Sequence, residues 1–275
     1  MLELPEAVTI ARQIHENIIG KSIVKVEAAR SPNKFAWYNG DPDDYQKMLI
    51  GRTINKANAY GGMVEVKAED ATMLFCDGVG LRFHNNQESI PKKHQLLIQF
   101  TDGTALSASV QMYGGLWCSL NGKFDNLYYA IAQQKPSPLS GKFNEEYFEQ
   151  IINLSTVQKV SAKAFLATEQ RFPGLGNGAL QDILWNARIH PKTKINSLSR
   201  EQKNQLFIKV KTVLAKMVKQ GGRDTEKDLF GSPGGYQTVM SKNTAGQSCP
   251  ECGTLIQKDN YLGGSVYYCA NCQVI

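Results

Sequence analysis

No apolar run in this chain approaches the ~18 residues needed to span a membrane. Its opening residues lack a basic segment followed by an apolar one, so the expectation is no secretory signal and a cytoplasmic location. Internal repeats are absent. Cysteine is nearly missing ahead of residue 249. Cys76 and Cys118 stand alone in strand-like apolar surroundings and read as small core residues rather than ligands or nucleophiles. Acidic residues are scarce in one stretch. From Ser155 to Ser248 there are six Asp/Glu against fifteen Lys/Arg, a local net of +9, while the whole chain carries +6 and the remainder therefore −3. Such asymmetry suits a polyanion held mainly by the second half, although a solvated helical face carries charge in the same way. What is present is ordinary for a soluble protein. The chain has 275 residues, 42% hydrophobic and 20% charged, enough for two domains.

Ala7, Ile10, Ala11, Ile14 and Ile18 recur at helical spacing, which predicts a helix over 5–19 with Pro5 in its first turn and Gly20 at its end. Strand-like runs follow at 22–28, 62–67, 72–76, 95–100, 105–110 and 115–119, rich in Val, Ile, Phe and Met and separated by Gly, Asp or Asn. Residues 45–49 read as a short helix between strands. The segment from Gln133 to Ser140 has the Pro/Ser character of a linker. Helices then dominate, at 144–152, 160–168, 177–187 and 199–220, the last opened by a Ser199/Gln202 capping box and stopped by Gly221 and Gly222. Residues 223–236 are polar and Gly-rich and read as a mobile loop. The expected fold class is α+β in two lobes: an N-terminal antiparallel β-sandwich with a leading helix, and a helical lobe carrying a cysteine finger. The divisions fall at 1–133, a linker over 134–142, 143–245 and 246–275.

Two motifs carry chemistry. Arg171-Phe172-Pro173-Gly174-Leu175-Gly176-Asn177 sits between two apolar-periodic segments, so it reads as a tight turn between helices, with Asn177 as N-cap of the second. Gly174 and Gly176 let backbone approach another molecule closely, and a helix start attracts anions. Lys163, one helix upstream, brings a cation to the same place. An ordinary helix–helix turn is the competing reading. The second motif is Cys249-Pro-Glu-Cys252 and Cys269-Ala-Asn-Cys272, separated by sixteen residues. Paired C-x2-C knuckles at this distance place four thiolates around one structural Zn²⁺ with no open position for substrate. Strands at 254–257 and 265–268 are expected to form the ribbon hairpin.

Glu3-Leu4-Pro5-Glu6 at the N-terminus, the turn ending in Gly174-Leu-Gly-Asn177, the run Asn186-Ala-Arg-Ile-His190-Pro191 and the final four cysteines occur in an order that resembles the formamidopyrimidine-DNA glycosylase and endonuclease VIII family. The resemblance covers nearly the whole chain. It implies a helix–two-turn–helix (H2TH) lobe and a DNA glycosylase of base-excision repair that binds damaged or abasic double-stranded DNA as a monomer. Lys163 and Asn177 match family positions that hold phosphates beside the lesion, and Glu3 matches the glutamate that assists proton transfer. Met112 and Tyr113 fall where the family fills the gap left by a flipped base, and Lys242 is a further candidate DNA contact.

The family's nucleophile, the amine of an N-terminal proline that forms a Schiff base, is not matched. Leu2 occupies its position, and Met1 is expected to remain ahead of so large a residue, leaving the Met1 amine as the alternative nucleophile. Ala59 and Gly264 stand where the family carries a strand lysine and a finger arginine. The resemblance therefore implies a glycosylase, with or without abasic-site lyase activity. A structure-specific DNA-binding protein without catalysis is the alternative. His94 reads as a solvated strand start, and His190 as a packing residue.

Overall fold

The computed structural model describes residues 2–274. In chain order it contains α1 (Leu4–Asn17), β1 (Ile23–Ala28), β2 (Ala36–Tyr38), α2 (Tyr45–Leu49), β3 (Ile54–Tyr60), β4 (Met63–Ala68), β5 (Ala71–Phe75) and β6 (Val79–His84). Next come β7 (Leu96–Phe100), β8 (Ala105–Val110), β9 (Gly114–Leu120) and α3 (Leu127–Gln134). The helices α4 (Glu145–Ile152), α5 (Ala162–Ala167), α6 (Ala179–Asn186) and α7 (Arg200–Lys219) follow, then the ribbon strands β10 (Gln257–Tyr261) and β11 (Gly264–Tyr268). Two sheets, ordered β1-β7-β8-β6 and β2-β9-β5-β4-β3, enclose the first core. All pairings are antiparallel except β2 with β9.

α1 serves both lobes. Ala7, Ile10, Ala11 and Ile14 lie on the sandwich core. Leu4, with Val8 one turn later, packs instead into the core of α4–α7. One helix with two apolar stripes buried against different neighbours makes the lobes a single packed body. Fully burying a side chain such as Ile14, which is 0% exposed, is worth about 1.5–3 kcal/mol. α2 is anchored by Tyr45, whose hydroxyl accepts from Asn39 N at 2.9 Å and donates to Leu116 O at 2.8 Å.

Four elements were not anticipated. β2 is a three-residue edge strand. β3 reads Ile-Asn-Lys-Ala-Asn-Ala-Tyr, with almost no β-branched residues; it is also an edge, and Ala57 and Ala59 support it by packing on the core. In β6 the buried Val79 and Leu81 do alternate with less buried neighbours, but Gly80 obscures the pattern. α3 opens with six apolar or aromatic residues and ends in two glutamines, so no 3.6-residue stripe stands out; Asn126 caps it by accepting from Tyr129 N at 2.9 Å. The ribbon's first strand lies later than expected, at 257–261. Leu262 and Gly263 both have positive φ (49° and 72°), the geometry of a two-residue hairpin turn. His94 is 3% exposed rather than solvated, its Nδ1 2.9 Å from Pro91 O. His190 packs edge-on against Tyr268, with ring centroids 4.4 Å apart.

Candidate active site

The start of α6 receives its anion from within the chain. Gly178 occupies the N-cap position and offers no side chain. Asn177, expected there, instead donates Nδ2–H to Ser265 O at 2.9 Å. The carboxylate that accepts the free N–H groups belongs to Glu3, 173 residues upstream of Gly176. It takes Gly176 N at 3.2 Å, Gly178 N at 2.7 Å and Ala179 N at 2.8 Å. Glu3 is the N-cap residue of α1, and its own backbone N–H is taken by Glu6 at 3.3 Å.

The glycines of the motif permit this arrangement. Gly174 has φ +80°, and a Cβ built on it would lie 2.2 Å from the carbonyl carbon of Gly61. A Cβ on Gly176 would lie 2.7 Å from the Glu3 carboxyl carbon. Backbone of one lobe thus meets backbone of the other, and Leu4 N–H donates to Gly174 O at 2.8 Å.

Arg223 completes the cluster and went unrecognised in the sequence. It is 2% exposed; Nε and Nη2 donate to Glu6 at 3.0 and 2.7 Å, and Nη1 donates to Glu3 at 3.2 Å. Burial alone would lower the guanidinium's pKa, but Glu3 and Glu6 outweigh it and hold it raised. The 223–236 segment is consequently tied down rather than loose. Tyr236 N–H donates to Gly222 O at 3.0 Å, and Asp224 N–H to Tyr236 O at 2.9 Å.

A cleft of about 530 Å³ opens between the lobes, with Leu2, Glu3, Asp77, Trp37, Trp117 and Tyr128 among its lining. Leu2 is 6% exposed, its side chain in the sandwich core. Met1 lies outside the described residues. Asp77, in the turn from β5 to β6, is exposed to the cleft; enclosure by protein and then the neighbouring Glu3 push its carboxyl up to about 6. Cys76 beside it lines the cleft as well, its thiol pushed up to about 12 by burial. Trp117 Nε1 has no hydrogen-bond partner among the described residues. Tyr113 lies against Trp37, ring centroids 6.0 Å apart, while Met112 is 61% exposed and lines a smaller neighbouring cavity. A larger groove of about 710 Å³, bordered by Glu149 and Arg200, contains none of the residues singled out by the sequence.

Lys163, Asn177 and Gly264 meet at the ribbon. A Cβ on Gly264 would lie 3.5 Å from both Lys163 Nζ and Asn177 Nδ2. Lys163 donates to Tyr261 O, and to Gly264 O at 3.5 Å; burial lowers its pKa. Carbonyls of the strand ends that flank the hairpin turn therefore accept from both side chains. Lys242 is exposed and shares no hydrogen bond with this group among the described residues. Ala59 is half-buried against the sandwich core.

The four ribbon thiols all lie within 4.8 Å of one another, with Cys249 Sγ 3.9 Å from Cys272 Sγ and Cys252 Sγ 3.4 Å from Cys269 Sγ. Zn–S bonds of about 2.3 Å in a tetrahedron put sulfurs about 3.8 Å apart, so the donor set is compatible with a zinc finger. Among the described residues no helix is long and apolar enough to cross a membrane.

A sandwich lobe and a four-cysteine ribbon flanking a helix–two-turn–helix core define a class of two-lobed, cleft-forming proteins. The family model for the formamidopyrimidine-DNA glycosylase N-terminal domain matches residues 1–116, and that for the formamidopyrimidine-DNA glycosylase H2TH domain matches residues 135–228. The chain belongs to the formamidopyrimidine-DNA glycosylase and endonuclease VIII family. A formamidopyrimidine-DNA glycosylase of Lactobacillus johnsonii is 29% identical over 286 residues, covering 100% of this chain and 99% of that protein. One from Lactococcus lactis is 28% identical over 278 residues, covering 99% of each. Among solved structures, the Lactococcus lactis Fpg in complex with DNA containing an abasic site gives a TM-score of 0.82 at 25% identity, covering 98% of this chain and 99% of that one. The MutM (Fpg) protein of Thermus thermophilus gives 0.80 at 22%, covering 98% of each, a likeness of fold.

Proposed function

We propose that this chain is a DNA glycosylase of base-excision repair, which binds damaged or abasic double-stranded DNA in the interlobe cleft and releases an altered base. The observation that carries this reading is Glu3. The family's glutamate is retained and held by the H2TH helix start at the floor of a cleft large enough for an extruded nucleotide. Lys163 and Asn177 supply phosphate donors once the ribbon turn yields its carbonyl contacts, and phosphate contacts position the duplex without reading sequence. Tyr113 and Met112 are the wedges for the vacated stack. One Zn²⁺, held by Cys249, Cys252, Cys269 and Cys272, serves the ribbon as a structural ion; it would fix the hairpin bearing Gly264 against α6.

The test is base release from duplexes carrying formamidopyrimidine-guanine, 8-oxoguanine or oxidised pyrimidines, read by strand scission after alkali. Release of at least one of these bases, slowed at high salt, is expected. Tight, selective binding to abasic-site duplex with no release from any substrate would instead establish a damage-binding protein.

A further inference from the structure

The cleft floor holds two neighbouring carboxylates with different freedom. Glu3 accepts from four donors, Gly176 N, Gly178 N, Ala179 N and Arg223 Nη1, so a proton placed on either oxygen would face N–H groups. The residue acts as a strut between the lobes, and its oxygens are committed. Asp77 is the second carboxylate. A methyl group built on Gly62 would lie 3.5 Å from Asp77 Oδ1, 2.9 Å from Leu2 O and 3.5 Å from Glu3 Cα. Asp77 and the backbone that carries the position of the family's nucleophile therefore border the same space beside Gly62, and Asp77 is open to the cleft.

That position has lost its chemistry. The Leu2 side chain is buried in the sandwich core, and with a residue ahead of it the Leu2 nitrogen is a peptide amide whose lone pair is delocalised. We propose that Asp77 is a catalytic residue, the base that takes a proton from a water attacking C1′ of the extruded nucleotide, so that base release proceeds by hydrolysis. In that step the water oxygen bonds to C1′ as the C1′–N bond breaks. The bonding pair leaves with the base nitrogen. One water proton passes to the Asp77 carboxylate and then to the departing base, leaving an abasic sugar. Among the described residues, the charged and titratable groups sharing the cleft are Glu3 on α1, Cys76 beside Asp77, Tyr113 before β9, and Asp125 and Tyr128 near the start of α3. Enclosure by protein and, after it, Glu3 raise Asp77 to about 6, which still leaves it largely ionised and basic at pH 7.5.

This inference rests on the glycosylase reading, and the two fail differently. On the substrate that wild type processes, Asp77→Asn is expected to slow single-turnover base release at least 100-fold while affinity for a tetrahydrofuran-containing duplex stays within about threefold. Borohydride added during wild-type turnover is expected to trap no protein–DNA adduct. Loss of less than tenfold in Asp77→Asn overturns the assignment, and so does a trapped adduct at the terminal amine or a lysine, while base release itself upholds the glycosylase. No release by wild type from any substrate overturns both. Where Asp77→Asn does not fold, the trapping result on wild type decides between water and amine.

Discussion

Replacing Arg223 with methionine removes the cation from a cluster whose carboxylates are 5% (Glu3) and 4% (Glu6) exposed. Three side-chain hydrogen bonds are lost, two to Glu6 and one to Glu3. Each charge-assisted bond is worth about 1.5–3 kcal/mol net, but the losses are not additive. Glu3 keeps its three backbone donors from the α6 start, so most of the damage falls on Glu6, which retains the backbone N–H groups of Arg223 and Glu3. Stranding one side of a buried ion pair generally costs about 3–5 kcal/mol, and that is the loss expected here. Against a total stability of about 5–15 kcal/mol, it is large. Denaturant unfolding followed by circular dichroism measures it. Adding Glu6→Gln removes one stranded charge, so the double variant should recover at least ~1 kcal/mol relative to Arg223→Met. An Arg223→Met protein within about 1 kcal/mol of wild type, with no recovery in the double variant, would refute the reasoning: the cluster would then be open to water.

Gly174→Ala forces a Cβ to within 2.2 Å of the Gly61 carbonyl carbon at φ +80°, so it should destabilise the protein by about 2 kcal/mol or more and separate the lobes; an unchanged melting temperature would contradict the contact. Cys252→Ser, or a strong chelator, should remove one zinc per chain by elemental analysis and weaken abasic-duplex binding at least tenfold; full binding without metal would count against the ribbon's role. The rate of base release should follow the ionised fraction of Asp77. With its carboxyl near 6, the rate falls about tenfold per pH unit below 6 and is flat from 7 to 8; a rate still rising with acidity down to pH 5 would contradict a base at this position.

What the sequence determined is what depends on short spacing. The cysteine knuckles require only two residues between ligands and a hairpin's length between pairs, and the observed thiols cluster accordingly. The i, i+3, i+4 stripe of α1, the Pro-Gly break before α6 and the Ser199/Gln202 box of α7 are likewise local, and each stands where its pattern lies. The resemblance singled out Glu3 and Gly174–Asn177, which the fold brings together, but not the partners each would take. Asn177 was expected to cap α6, because Asn is the favoured cap nearby; a carboxylate from the far end of the chain does so with a full charge. Arg223 gave no signal, since one arginine in a polar Gly-rich stretch looks like any solvated cation, and only folding sets it beside Glu6, 217 residues away in the chain. Asp77 was equally unmarked. Its chemistry arises from enclosure in the cleft and from Glu3 nearby, and a carboxylate's proton affinity is set by the charges and solvent around it. Local pattern therefore specified most of the elements and the four-cysteine cluster, while tertiary structure alone decided which carboxylate is held fast and which faces the cleft.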